Sequence, residues 1–185
     1  DLYKDAFLPW EWHKPIFALA KKEGLVCFSS PFDCTAVDFL EELNCPIYKI
    51  ASFEITDIPL IEYAASKGKP MIISTGIAEI QDIELAISAC KSQGNNDITI
   101  LKCTSAYPSD PADANLKTIA DIQKRFNVKV GLSDHTMGSE APMIAVAMGA
   151  QVIEKHFTIS NNLNGPDHKA SLTPIQLADL VNGIR

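Results

Sequence analysis

Six short apolar runs recur along this chain at intervals of about 22–30 residues, with helical patterns between them. The runs are Leu25–Ser30, Ile47–Ser52, Pro70–Thr75, Ile98–Thr104, Val128–Ser133 and Gln151–Phe157. Each is dominated by Val, Ile, Leu, Met and Phe, the make-up of a strand covered on both faces. Between them, Ile80, Ile83, Ile87 and Cys90 follow a helical stripe, as do Leu116, Ile119 and Ile122. Gly24, Gly68, Gly94 and Gly149 stand where helices should stop, and Thr173-Pro174 marks the start of a last helix. A strand–helix rhythm of this kind leads to parallel strands joined by right-handed crossovers. Two α/β architectures satisfy it: an open doubly wound sheet, and a (β/α)8 TIM-type barrel, which takes about 250 residues. Six strand–helix units after a leading helix would make a barrel fragment, six of eight units. No G-x-G-x-x-G or P-loop sequence follows any run, which counts against the nucleotide-binding alternative.

Composition narrows the classes further. The 185 residues suit one domain, and 46% apolar residues supply a large core. A net charge of −7 argues against nucleic acid as a partner, because that footprint needs clustered Lys and Arg. No apolar run approaches the roughly 18 residues of a membrane span. The longest, Ala141–Ala150, carries Pro142 and Gly149 and reads as a buried helix. The stretch Asp1–Trp10 is acidic and aromatic, unlike a signal peptide. The chain starts without Met and is expected to be a piece of a longer one. Five Cys (Cys27, Cys34, Cys45, Cys90 and Cys103), with no C-x-x-C pair, fit reduced thiols and a cytoplasmic location. Cys27 and Cys103 lie inside apolar runs and are expected in the core. Trp10, Trp12 and His13 open the first helix, where aromatics usually pack.

Functional residues of parallel α/β folds gather at the carboxyl ends of strands. Here nearly every run ends in polar groups: Ser29-Ser30, then Ser52 with Glu54, Ser74-Thr75-Gly76, Thr104-Ser105 with Tyr107, Ser133-Asp134-His135, and Glu154-Lys155-His156. Residues two apart on a strand share a face, so Ser133 and His135 point together, as do Glu154 and His156. On neighbouring strands, His135 and His156 would converge at one rim. Two imidazoles suit a divalent transition metal; the alternative is a pair of histidines hydrogen-bonded to Asp134 or Glu154. Lys49 sits in an apolar run, where a charge needs a partner. That partner is either an oxyanion such as phosphate, shared with Ser30, Ser52, Ser74 and Ser133, or a carboxylate, Glu154 or Glu54. A Schiff-base role for Lys49 is the rival catalytic reading. Asp33 is expected to cap the next helix rather than bind a ligand.

At these residues the chain resembles the sialic acid synthase family, including the legionaminic and pseudaminic acid synthases. The matching segments are FSSPFD (28–33), YKIASFEITD (48–57), STG (74–76), LKCTSAYP (101–108), VGLSDHTMG (130–138), MGAQVIEKHFT (148–158) and GPDHKASL (165–172). They follow one another in order and lie at the strand ends already derived. The resemblance implies condensation of phosphoenolpyruvate with an open-chain N-acyl hexosamine of the N-acetylmannosamine type, yielding a nine-carbon 2-keto acid and phosphate. It implies a (β/α)8 barrel followed by a small antifreeze-like domain, in a homodimer where that domain caps the partner's site. The first two strands, with an early catalytic Glu and a phosphate-binding Lys, and the cap would lie outside this chain. The isolated piece is therefore expected to have little turnover.

Carried over by position, the resemblance makes His135 and His156 the ligands of a divalent metal, Mn2+ first, with Mg2+ or Co2+ as alternatives. It places Ser30, Lys49, Ser52, Ser74 and Ser133 around phosphoenolpyruvate, Glu54 beside the reacting carbons as a catalytic proton-transfer group, and Tyr107 and Asp167 on the sugar. Ser105 departs from the Asn that the family often carries. PWEWH (9–13) and ASFE (51–54) are more similar to pseudaminic acid synthases; GPDHKASL is more similar to N-acetylneuraminate and legionaminate synthases. The second segment holds Asp167, so it weighs more. Two other readings stand beside this one: a Schiff-base pyruvate aldolase using Lys49 or Lys102, and a non-catalytic piece whose open sheet edges need covering.

Overall fold

Alternating apolar runs and amphipathic stripes give the chain five parallel strands, each followed by a helix. In chain order the elements are α1 (Trp10–Lys22), α2 (Cys34–Glu42), β1 (Tyr48–Ile50), a 3-10 turn (Ser52–Thr56), α3 (Ile58–Ala65), β2 (Met71–Ser74), α4 (Ile80–Ser92), β3 (Ile98–Cys103), a second 3-10 turn (Pro111–Asp113), α5 (Lys117–Phe126), β4 (Lys129–Asp134), α6 (Glu140–Ala147), β5 (Val152–Lys155) and α7 (Pro174–Ile184). This computed structural model describes residues 7–185; the first six residues of the acidic, aromatic opening lie outside them. The strands pair in sequence order, β1-β2-β3-β4-β5, all parallel. Sequential order with every strand parallel excludes the doubly wound sheet, whose order reverses at a switch point.

The sheet curls. β1 and β5 stand at opposite edges of the ladder, yet Lys49 Nζ of β1 lies 3.4 Å from Glu154 Oε2 of β5. A flat five-strand sheet separates its edges by about 19 Å at the usual 4.8 Å spacing. The two side chains meet because the strands wrap around a shared interior, giving half a barrel. Its wall is packed by Tyr48, Ile50, Met71, Ile73, Ile98 and Ile100 against Leu60, Ile61, Ile83, Ile87, Ile119 and Ile122 of the helices, all buried. Of the two predicted stripes, Ile83, Ile87 and Cys90 are buried on α4 and Ile119 and Ile122 on α5, whereas Ile80 at the start of α4 is 47% exposed and Leu116, just before α5, is half-buried.

Helix ends follow their local chemistry. Asp33 caps α2, accepting from the Ala36 N–H at 2.8 Å. Thr173 and Gln176 form a capping box on α7, with Pro174 in its first turn. Gly94 ends α4 at φ +76°, a left-handed conformation that a side chain would strain.

Three expectations are corrected. The first run, Leu25–Ser30, is not a strand: it makes one bridge, Ser29 to Tyr48. It lies past the open edge of β1, and among the described residues nothing pairs with its outer side. Leu25 and Val26 are accordingly 66% and 68% exposed. Cys27 shares that run and is only half-buried, whereas Cys103 is in the core as expected. The run Ala141–Ala150, read as a buried helix, forms α6, which buries one face with Ala141 and Ala145 and leaves Ile144 exposed.

Candidate active site

The ends of all five strands open into one mouth, and alternation along each strand decides what enters it. Ser133 and His135, from the end of β4, line the same hollow as Glu154 and His156, from the end of β5. Lys49, Ser52 and Ser74 complete it from β1 and β2, with Cys103 from β3 and Tyr107 from the loop after it. The hollow holds about 130 Å³ and opens beside a second, of about 270 Å³, that reaches Ser30.

Lys49 is the electrostatic centre. Its ammonium donates to Ser74 Oγ at 2.8 Å and to the Ile50 carbonyl at 3.1 Å, and faces Glu154. Glu154 in turn accepts from Ser133 Oγ at 2.6 Å. A buried cation is costly unless paired, and here the pairing runs through one carboxylate to a second serine. The carboxylate option for Lys49 is met by Glu154, while one hydroxyl, Ser74, bonds the ammonium and those of Ser52 and Ser133 line the same hollow. Ser52 Oγ accepts from the Gly76 N–H at 3.0 Å, drawing the loop after β2 inward. A Cβ on Gly76 would collide with the Ser52 and Ser105 hydroxyls, so only glycine permits this approach.

The imidazoles of His135 and His156 converge, with ring centroids 5.4 Å apart. Tyr107 lies over both, at 4.1 Å from the first ring and 5.6 Å from the second. His135 Nδ1 donates to the Thr104 carbonyl at 2.9 Å. A carbonyl can only accept, so the proton of the neutral ring is on Nδ1 and Nε2 presents a lone pair. This is how metal-bound histidines are commonly oriented. The two rings are half a ligand set: among the described residues no group of three or more His, Cys, Asp or Glu side chains is close enough to hold an ion. A metal held by these two imidazoles would have to take its remaining ligands from water or substrate. Burial pulls the His156 pKa down and, with the charges of His135 and Lys155, outweighs the opposing carboxylates of Asp167 and Glu154. For His135 burial acts the same way, but contacts to Cys103 and the Thr104 carbonyl outweigh it and raise the pKa.

Glu54 sits in the 3-10 turn after β1, and its Oε2 is buried without a hydrogen-bond partner. Burial raises its pKa, only partly offset by the Lys49 charge. Glu54 lines neither hollow, although the Lys49 charge reaches it, and a carboxyl whose pKa burial raises is suited to proton transfer. Asp167 is exposed on the loop before α7 and lines neither hollow, but its charge reaches Tyr107 and His156 at the rim. That loop is tied down by Asn161, whose amide donates to the carbonyls of His168 and Ser171 at 2.7 and 2.8 Å. Lys102 faces away from the hollow, donating to Thr104 Oγ1, and lines a separate cleft between α4 and α5. The roles of Cys103, Asn161 and the Thr104 carbonyl were not foreseen. Cys103 was visible only as an apolar-run residue, and a main-chain acceptor leaves no mark in a sequence.

The NeuB family profile matches residues 1–185. The chain belongs to the NeuB family. Pseudaminic acid synthase of Helicobacter pylori is 49% identical over 185 residues, covering 100% of this chain and 54% of that protein. N,N'-diacetyllegionaminic acid synthase of Campylobacter jejuni is 45% identical over 175 residues, 94% of this chain and 52% of that protein. The crystal structure of N-acetylneuraminic acid (sialic acid) synthetase from Leptospira borgpetersenii, in complex with citrate, superposes with a TM-score of 0.94 at 36% identity, covering 98% of this chain and 63% of that one. The chain spans about half the length of the curated relatives it matches. Membership agrees with the resemblance carried by the motifs at the strand ends.

Proposed function

We propose that this chain is the larger part of the barrel of a nonulosonic acid synthase. The enzyme would condense phosphoenolpyruvate with an open-chain N-acyl hexosamine and water, giving a sialic-acid-like 2-keto acid and phosphate. The single observation that carries this reading is the joining of two unlike half-sites in one hollow: an ammonium with serine hydroxyls beside it and a pair of converging imidazoles. Phosphoenolpyruvate needs cationic and hydroxyl donors. An aldehyde acceptor needs its carbonyl oxygen polarised where charge develops.

Lys49, Ser30, Ser52, Ser74 and Ser133 hold the phosphate and carboxylate groups of phosphoenolpyruvate, and the anion competes with Glu154 for the Lys49 ammonium. Tyr107 covers the imidazoles and, with Asp167 on its loop, bounds the sugar. The methylene carbon of phosphoenolpyruvate bonds to the aldehyde carbon, whose oxygen becomes the new hydroxyl. Water adds at the neighbouring carbon, and phosphate leaves with its bridging oxygen to give the ketone. Glu54 moves a proton in this sequence. His135 and His156 would hold a divalent metal, Mn2+ first, which when bound supplies Lewis acidity toward the aldehyde. The remaining barrel units, the cap and a homodimer belong to the full-length protein, whose place is the cytoplasm.

A second reading of the sugar, pseudaminic acid synthesis, is favoured by the 49% identity to the Helicobacter pylori protein of that name. Phosphate release from phosphoenolpyruvate, measured in a full-length protein carrying this chain against a panel of N-acyl hexosamines, decides between them. His135→Ala and His156→Ala are each expected to abolish metal-dependent turnover, and full activity in either removes the metal assignment. Borohydride trapping with pyruvate is expected to give no adduct; a covalent adduct on Lys49 would replace the synthase by a Schiff-base aldolase.

A further inference from the structure

The residue before each converging histidine is charged, and the two charges pair. Asp134 precedes His135 and Lys155 precedes His156, and the two are register partners on β4 and β5. Alternation sends their side chains to the opposite face from the imidazoles, where they form an ion pair with side chains 2% and 5% exposed. The pair is part of a closed knot. Asp134 accepts from the Thr136 N–H at 3.1 Å, and Lys155 donates to the Thr136 carbonyl at 2.6 Å. The turn carrying His135 is thereby tied to the strand carrying His156.

A pair this deeply buried contributes little net stability, because desolvation offsets most of the attraction, and apolar replacements of similar volume are often as stable. Its geometry here has a more specific consequence. The strand-end backbones that bear the two imidazoles are cross-linked within one residue of each ring. His135 alone is also held through its ring, by the Thr104 carbonyl; for His156 no ring hydrogen bond is made among the described residues.

We propose that Asp134 and Lys155 are positioning residues that set the separation of the His135 and His156 rings, while the Thr104 carbonyl separately sets the tautomer of His135. This rests on the reading of the two imidazoles as a metal-holding pair.

The division of labour makes the test specific. Asp134→Asn with Lys155→Met removes both charges and keeps an acceptor for Thr136. In a full-length protein carrying this chain, with histidines labelled in 15N and metal removed, wild type is expected to show a ring-to-ring nuclear Overhauser contact and the Nδ1-protonated signature at His135. The double variant is expected to lose the contact and keep the signature. Mn2+ affinity, read by electron paramagnetic resonance, is expected to fall about 10–100-fold, and Lys155→Arg alone, which keeps the pair, to stay within about threefold of wild type. A folded double variant with the ring contact intact and Mn2+ affinity within twofold of wild type overturns the proposal. Loss of contact and tautomer together also overturns it, since that marks general disorder. If wild type binds no Mn2+, the metal reading fails and the ring contact alone decides the positioning claim. If the double variant does not fold, Asp134→Asn decides: a weakened Mn2+ affinity supports the proposal, and an unchanged one contradicts it.

Discussion

Glu54 shows how a single residue couples stability to the chemistry assigned to it. Its carboxyl has one buried oxygen without a partner, and burial raises its pKa above the ordinary 4.5. The folded state then binds a proton more tightly than the unfolded state, so stability falls as pH rises from about 4.5 through the raised folded value. Glu54→Gln removes that term. Between pH 4.5 and pH 7.5 the urea midpoint of the variant is expected to fall less, or rise more, than that of the parent; an identical change would mean that Glu54 is solvated. The sequence marked Glu54 as a polar residue at a strand end and a possible partner of Lys49. Its catalytic role came only through resemblance, because burial of a carboxyl oxygen is a property of its surroundings. His135 and His156 were legible from strand alternation alone. Glu154 was legible as a possible partner of Lys49, but its bridge to Ser133 depends on the curl of the sheet. Asp167 remains outside the hollow, since a residue on the surface of a loop is not placed by strand geometry.

At the scale of elements, local signals were read well where each element has neighbours on both sides. The stripes of α4 (apart from Ile80) and α5 and the five paired strands match the periodicity, and Thr173-Pro174 starts α7 as its local chemistry indicates. The failure at Leu25–Ser30 has a physical cause, since an apolar run becomes a strand only when something pairs with it. The start of α2 is a clean case of a local signal. Asp33→Ala deletes the acceptor for the Ala36 N–H and is expected to cost about 1 kcal/mol of unfolding free energy. A urea titration measures it. No loss would mean that Thr35, which also hydrogen-bonds Asp33, caps equally well by itself.

For the whole molecule, the curl of the sheet is what makes a site. Lys49 and Glu154 lie at the two ends of the ladder, and their contact brings the serines against the imidazole pair. The central claim is that these half-sites act as one. Calorimetric titration of phosphoenolpyruvate into a full-length protein carrying this chain, with and without Mn2+, tests it most directly. Joint action predicts that Mn2+ tightens phosphoenolpyruvate binding and that Lys49→Met or His156→Ala each removes that enhancement. Equal affinity with and without Mn2+ in the folded protein, or an enhancement that survives both substitutions, would contradict the account.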